Sequence, residues 1–361
     1  MYRRAYTLLI GVAAVMGGLA LAVSIRYDQP FLDPEGKFLG PSWARLPILL
    51  LLAVGLDLLP KAIWESRGRP GSLMPAVRER LRTHWTRERV TLVGLGVVCF
   101  YVTYVSYRNL KSALPFVIDT DYDRELHLLD RALFFGNDPS TVLHTVLGTN
   151  IAAHGLSYIY LWFLPLVPLA LMAWLVWSRN MSLGYWFATS QCIAWALGTA
   201  SYYALPTLGP VFEYAPKYSD LAHTPTTDLA KALSVARARV RVQDYDGQGV
   251  EGIVNSVAGF ASLHVAITLL VALMVHYTMR SKLLKSIFWV NFALTVVATI
   301  YFGWHYLADD IAGVMIAFIA FYLGGIASGQ KFERRSLQSH PTTTTSAVPV
   351  EPPGLSSRSP E

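Results

Sequence analysis

The chain has 361 residues, of which 53% are hydrophobic and only 15% charged, with a formal net charge of +6. A soluble domain carries about 25% charged residues, so this composition excludes an ordinary water-exposed globular surface. The positive charge lies in short stretches between apolar blocks of roughly 20 residues, each long enough to cross about 30 Å of hydrocarbon; it reads as membrane topology, and a nucleic-acid partner is not expected.

Eight candidate spans follow in chain order, at roughly 6–25, 44–64, 90–107, 151–177, 182–205, 262–279, 285–304 and 306–327. The first follows Arg3-Arg4 and resembles a signal peptide, but its apolar run is too long and ends without a small-x-small site. It is read as a retained span. Cys99 and Cys192 both fall inside apolar blocks, far from ligand-like neighbours, and are read as packing residues; neither a disulfide nor a zinc site is expected.

The basic residues sort to one side. Arg3 and Arg4 precede the first span; Arg67, Arg69, Arg78, Arg80, Arg82, Arg87 and Arg89 follow the second. Arg179 lies after the fourth, Arg280, Lys282 and Lys285 after the sixth, and Lys331, Arg334 and Arg335 after the eighth. If every block spans, all of them share one face, which the positive-inside rule assigns to the cytoplasm together with both termini. The opposite loops cover about 26–43, 108–150, 206–261 and the turn near 305. In the second of these, Leu126–Phe134 has helical apolar spacing and reads as an amphipathic surface helix, which 141–147 continues. The third mixes Pro, Gly and Tyr with an Arg-rich helical stretch at 227–242. The Ser-, Thr- and Pro-rich tail after Arg335 is expected to be disordered.

Ionisable residues at span ends point to chemistry, because a bilayer tolerates them poorly. In Ile300–Gly313 (IYFGWHYLADDIAG), His305 and Asp309 are four apart and share one helical face, so the carboxylate orients and charges the imidazole. Asp310, one residue on, is expected to point elsewhere. A histidine held by a carboxylate is a good nucleophile or base. In Gly259–Val265 (GFASLHV), Ser262 and His264 open the sixth span; a serine and free N–H groups at a helix start suit a phosphate, and His264 beside them can protonate a leaving alkoxide. The topology puts both segments at the same outer face. Alone, either histidine reads as an interfacial packing residue. Together they favour catalysis.

At these residues the sequence resembles the type 2 phosphatidic acid phosphatase superfamily, in which a P-S-G-H and an S-R-x5-H-x3-D segment supply the catalytic histidines. The resemblance implies that His305 is the nucleophile that forms a phosphohistidine, that Asp309 activates it and that His264 is the general acid. It also implies a six-helix core, here the third to eighth spans, with the first two an addition. The chain departs from the family pattern: Ala261-Ser262-Leu263-His264 replaces P-S-G-H, Thr299 stands where the family has Arg, and no K-x6-R-P segment occurs. Thr299-x-Tyr301-x3-His305-Tyr306-x2-Asp309, the S-L-H triplet and Tyr202–Phe212 are more similar to the inositol phosphorylceramide synthase branch, which moves a phosphoryl-alcohol headgroup between lipids.

Some cation must neutralise the phosphoryl group. Arg108, in Tyr107-Arg108-Asn109-Leu110-Lys111, is the first candidate and Lys111 the second, although Arg108 reads equally as an interfacial anchor. Lys217, Arg237, Arg239 and Arg241 are weaker candidates. Ser262 and Tyr301 complete the expected substrate contacts; His154 and Tyr158 lie near the cleft but fit helix packing better. The sequence thus predicts an all-α integral membrane protein of about eight transmembrane helices: two N-terminal helices and a basic loop over 1–89, a catalytic domain over 90–330 and a tail over 331–361. It is expected in the cell membrane, with an outward-facing active site that takes a lipid phosphate and either water or an alcohol such as inositol, without cofactor or metal. A transporter or flippase of a phosphorylated lipid is the alternative. Against it, the ionisable residues gather at one face and not at the midplane.

Overall fold

The computed structural model describes residues 3–33, 41–66, 70–178, 180–241, 257–330 and 332. The regular structure among them is helical throughout. The helices are α1 (Arg3–Arg26), α2 (Ser42–Glu65), α3 (Pro70–His84), α4 (Arg87–Val117), α5 (Asp123–Leu133), α6 (Pro139–Leu147), α7 (Ile151–Met172), α8 (Met181–Ala204), α9 (Pro210–Glu213), α10 (Pro225–Arg241), α11 (Leu263–Thr278), α12 (Lys282–Tyr301) and α13 (Leu307–Ala327). A π-helical turn, Ala173–Trp177, extends α7, and a 3₁₀ turn, Ala215–Tyr218, follows α9. Of the basic positions used for topology, Arg67, Arg69, Arg179, Lys331, Arg334 and Arg335 lie outside the described residues, as does nearly all of the tail.

Among the described residues, six helical segments are long and apolar enough to cross a bilayer: Arg4–Arg26, Ser42–Glu65, Arg87–Val117, Ile151–Trp177, Lys282–Tyr301 and Leu307–Ala327. The chain is an all-α integral membrane protein. The other two expected spans differ for a physical reason. α8 is long but less apolar, and most of its residues are buried against α1, α4, α11 and α13. A helix surrounded by protein needs no lipid-compatible face, so Ser190, Gln191 and Thr199 are tolerated. α11 has 16 residues and rises only ~24 Å, short of a full bilayer. It is apolar on all sides and buried among α7, α8, α12 and α13.

The outward faces of α2 and α12 carry exposed Leu51, Leu56, Ile63, Leu283, Ile287 and Val290, the pattern of lipid-facing helices. Association of such helices gains little from burying apolar surface that lipid would cover anyway; close contact and hydrogen bonds do more. α8 and α13 show both. Trp186 donates to the Phe321 carbonyl at 2.8 Å, Ser182 to the Ser328 carbonyl at 2.7 Å and Gln330 to the Ser182 hydroxyl at 2.6 Å. α1 is tied into the same core through a stripe of Ala5, Leu9, Ala13, Met16 and Ala20, against α4 and α8.

Two segments depart from the expected outline. The basic stretch after α2 folds in part as α3, and Arg80 reaches back to Asp57. α4 runs to Val117, ten residues beyond the expected end, so Arg108 and Lys111 lie within a helix and not at its mouth. Thr86 caps its start by accepting from Arg89 N–H. The expected amphipathic segments appear as α5 and α6.

Candidate functional site

The geometry begins at the start of α13. Tyr306 is the N-cap residue, and its N–H would otherwise lack a partner. Asp309, three residues on, accepts that N–H at 3.0 Å through Oδ2. The same oxygen lies 3.3 Å from Nδ1 of His305. One carboxylate therefore both caps the helix and orients the ring, leaving Nε2 of His305 as the nitrogen not engaged by Asp309. Gly303, at φ +67°, turns the chain from α12 into this segment in a conformation that only glycine adopts freely.

The second motif is joined directly to the first. Ser262 caps α11, its hydroxyl accepting from Val265 N–H at 3.4 Å, and its own N–H donates to the Asp309 carbonyl at 3.0 Å. Gly313 permits this approach, since a Cβ there would strike the Ser262 carbonyl. His264 then falls in the first turn of α11, its ring against Tyr160 and Phe163 of α7 at 4.3 and 4.1 Å between centroids. The rings of His264 and His305 are 6.1 Å apart. Ser262, His264, His305 and Asp309, some forty residues apart in sequence, meet at one end of the bundle. Ser262 is fully buried, its hydroxyl spent on the cap and on Asp310.

The expectation for Asp310 fails. It does not point away: it is buried in the same site, accepts the Thr299 hydroxyl at 2.8 Å, and its charge acts on His305. Thr299 and Asp310 meet because the α12–α13 turn folds the end of α12 back against the start of α13. The residue that replaces the family arginine is thus a donor to a carboxylate. Burial pushes the His305 imidazole down to about 4; the Asp310 charge opposes this and the Lys111 charge adds to it.

The two candidate cations separate. Lys111 extends over Tyr107 and Tyr202, its ammonium 5.9 and 5.5 Å from their ring centroids, and its charge reaches both histidines. Arg108, one turn earlier, donates to the Tyr104 hydroxyl at 3.3 Å. Lys217 pairs with Asp138 at 2.7 Å, and Arg237 reaches the Val257 carbonyl; the side chains of Arg239 and Arg241 are outside the described residues. Tyr301 stands apart from the histidine pair: its hydroxyl donates to the Gly148 carbonyl at 2.7 Å and its ring packs on His144. His154 and Tyr158 are exposed on α7, and the positions that do meet the site from this helix are Tyr160 and Phe163.

Residues that the sequence reading passed over complete the surroundings. Asp123 and Asp130, at the two ends of α5, are both buried. Asp123 accepts Leu208 N–H at 2.7 Å, Gly209 N–H at 2.8 Å and the Tyr306 hydroxyl at 2.9 Å. Asp130 accepts Leu307 N–H with both oxygens at 3.1 Å. Burial raises both carboxyls, Asp130 to about 6, against the lowering effect of these N–H donors. Their spacing of seven places both on one face of an amphipathic helix, and that was the available signal. A small cavity of about 20 Å³, room for roughly one water, runs from His127, Asp130 and Lys217 to His305. Trp304 Nε1, Asp309 Oδ1 and Asp310 Oδ1 are buried without a hydrogen-bond partner among the described residues.

No curated protein and no solved structure matches the chain. A family model described as PAP2 superfamily matches residues 124–323, more than half of the chain and the whole stretch from α5 almost to the end of α13. With both histidine segments inside the matched region, the chain belongs to the PAP2 superfamily.

Proposed function

We propose that this protein is a membrane lipid phosphotransferase or phosphatase that works through a phosphohistidine on His305, at the extracytoplasmic face, with both termini in the cytoplasm. The observation that carries the proposal is the meeting of His264 and His305, ring centroids 6.1 Å apart, with the second ring held by Asp309. A phosphoryl group between two such rings is within reach of both.

In the first step Nε2 of His305 attacks phosphorus, and the bond from phosphorus to the leaving alkoxide breaks. His264 gives its proton to that alkoxide. The anionic phosphoryl group beside His264 supplies the electrostatic reason for it to carry the proton. Asp309 stabilises the positive charge that develops on His305, and His305, neutral above pH about 4, enters the step unprotonated. In the second step the oxygen of water or of an alcohol attacks phosphorus, the N–P bond breaks, and His264 takes the proton back. Lys111 is the cation for the phosphoryl oxygens, in preference to Arg108, because its charge reaches both imidazoles. Ser262 contributes by fixing the start of α11 to Asp309.

The S-L-H triplet and the His305-Tyr306-x2-Asp309 sequence support the inositol phosphorylceramide synthase-like branch, hence headgroup transfer to a lipid or inositol hydroxyl. The catalytic unit is α4–α13, over about 90–330, with α1–α3 added before it.

The test is to incubate the purified protein with phosphatidic acid or phosphatidylinositol radiolabelled at phosphorus, quench under alkaline denaturing conditions and map the label. Label on His305, absent in His305→Ala, is the expected result. Turnover with no label on any histidine overturns the covalent mechanism. Adding ceramide to the phosphatidylinositol reaction separates transfer from hydrolysis.

A further inference from the structure

The two carboxylates of α5 have no role in the chemistry just described, yet both are buried and both end on the segment that carries the nucleophile. Burying two carboxylates is costly unless every donor nearby is matched to them. Here the donors are specific. Leu307 N–H belongs to the first turn of α13, where the helix itself offers no acceptor, and Asp130 supplies one from another helix. Asp123 joins three points: the backbone at 208 and 209, just before α9, and the hydroxyl of Tyr306, the residue next to His305. The same backbone stretch reaches the other motif, since the Thr207 carbonyl accepts Gly259 N–H at 2.7 Å and the Thr207 hydroxyl accepts Phe260 N–H at 2.9 Å.

We propose that Asp123 and Asp130 are positioning residues for the phosphoryl transfer. Asp123, by holding the Tyr306 hydroxyl and the 208–209 backbone together, sets the distance between the His305 turn and the His264 segment. α5 is then a clamp on the nucleophile and not simply a helix lying on the membrane surface. This rests on the catalytic reading above, and the test separates the two.

The variants are Asp123→Ala, Tyr306→Phe and the double variant, with Asp130→Ala as an independent probe. Ala removes both acceptor oxygens, so the Tyr306 hydroxyl and the two N–H groups all lose this partner. Each is assayed in detergent on phosphatidic acid and phosphatidylinositol for kcat and KM, with thermal unfolding and amide hydrogen exchange over 302–312 measured alongside. The clamp predicts that kcat falls about tenfold or more in each single variant while KM changes by less than about threefold, because misplacement of a reacting group costs rate more than affinity. It predicts that the double variant is no worse than the more impaired single one, since both break one link, and that exchange over 302–312 rises while α1 is unchanged. Multiplicative kcat losses in the double variant overturn the link through Tyr306. Unfolding at lower temperature with kcat and exchange unchanged overturns the clamp and leaves a structural role. If the unmodified protein turns over neither lipid, the catalytic reading fails and the positioning role falls with it; raised exchange over 302–312 in Asp123→Ala then still shows that α5 holds this turn, and unaltered exchange overturns the hold as well.

Discussion

Two sets of buried carboxylates, at opposite ends of the bundle, solve the same problem differently. At the end where α2 meets α3, Asp57 is matched by two cations, Lys61 at 2.7 Å and Arg80 at 3.1 Å, with the His84 ring 3.8 Å away. At the histidine end, Asp123, Asp130, Asp309 and Asp310 are met by backbone N–H groups, the hydroxyls of Tyr306 and Thr299, and one imidazole. A carboxylate closed by lysine and arginine is an anchor whose charge is already spent. The carboxylates at the histidine end are held by neutral donors, and two of them, Asp309 and Asp310, act on His305. The difference separates a joint from the candidate site better than burial does, since both sets are buried.

The comparison can be broken most severely at the histidines. His305→Ala is expected to take turnover below detection, and His264→Ala to lower it about 10²- to 10⁴-fold, with both variants folding normally by size-exclusion profile. Activity near that of the unmodified protein in either would remove the reaction site from the comparison. Next comes the cation. Lys111→Gln is expected to lower kcat/KM about 10²-fold, and Arg108→Gln by less than about fivefold, measured on the same lipid phosphoester. The reverse order would show that Arg108 is the phosphate partner.

The Asp57 joint gives the opposite signature. Asp57→Asn is expected to lower stability by about 1–3 kcal/mol, less than a fully buried pair would lose because Lys61 is half exposed, while kcat per folded molecule stays the same. A fall in kcat without a fall in melting temperature would erase the distinction.

The smallest expected effect is on pH dependence. His305 is held near 4, below its ordinary value, so the free enzyme's kcat/KM should gain its basic nucleophile as pH rises through about 4 and be flat on that limb by pH 6. The same depression contributes stability that is present above about pH 6.5 and lost as pH falls through about 4. Asp130, raised to about 6, acts with the opposite sign: its contribution is present below about pH 3.8 and lost as pH rises through about 6. Thermal unfolding in Asp130→Asn should therefore become less sensitive to pH between 4 and 6, and an unchanged pH slope would refute this.

Much of the plan was legible in the chain. Apolar runs of twenty residues have few physical fates, so the helical class, six of the eight expected spans and the amphipathic α5 and α6 could be read directly. The S-x-H and H-x3-D spacings pointed to His264, His305 and Asp309 as candidates, and the structure brings these three together, because a period of four on a helix fixes which side chains share a face. Periodicity is blind to what lies across a helix–helix contact. It placed Asp310 away from His305 because the two do not share a face of one ideal helix, whereas the turn before α13 brings Asp310 under Thr299. It ended the third span at 107, just before Arg108, since polar residues read as a span end; in the bundle Lys111 lies instead against the aromatic rings of Tyr107 and Tyr202. Residue type and spacing along the chain singled out a set of histidines, carboxylates and cations as candidates. Only the tertiary structure decided which of them meet, and that Asp123 and Asp130 hold the turn between α12 and α13, because a buried carboxylate takes its meaning from the donors that other helices bring to it.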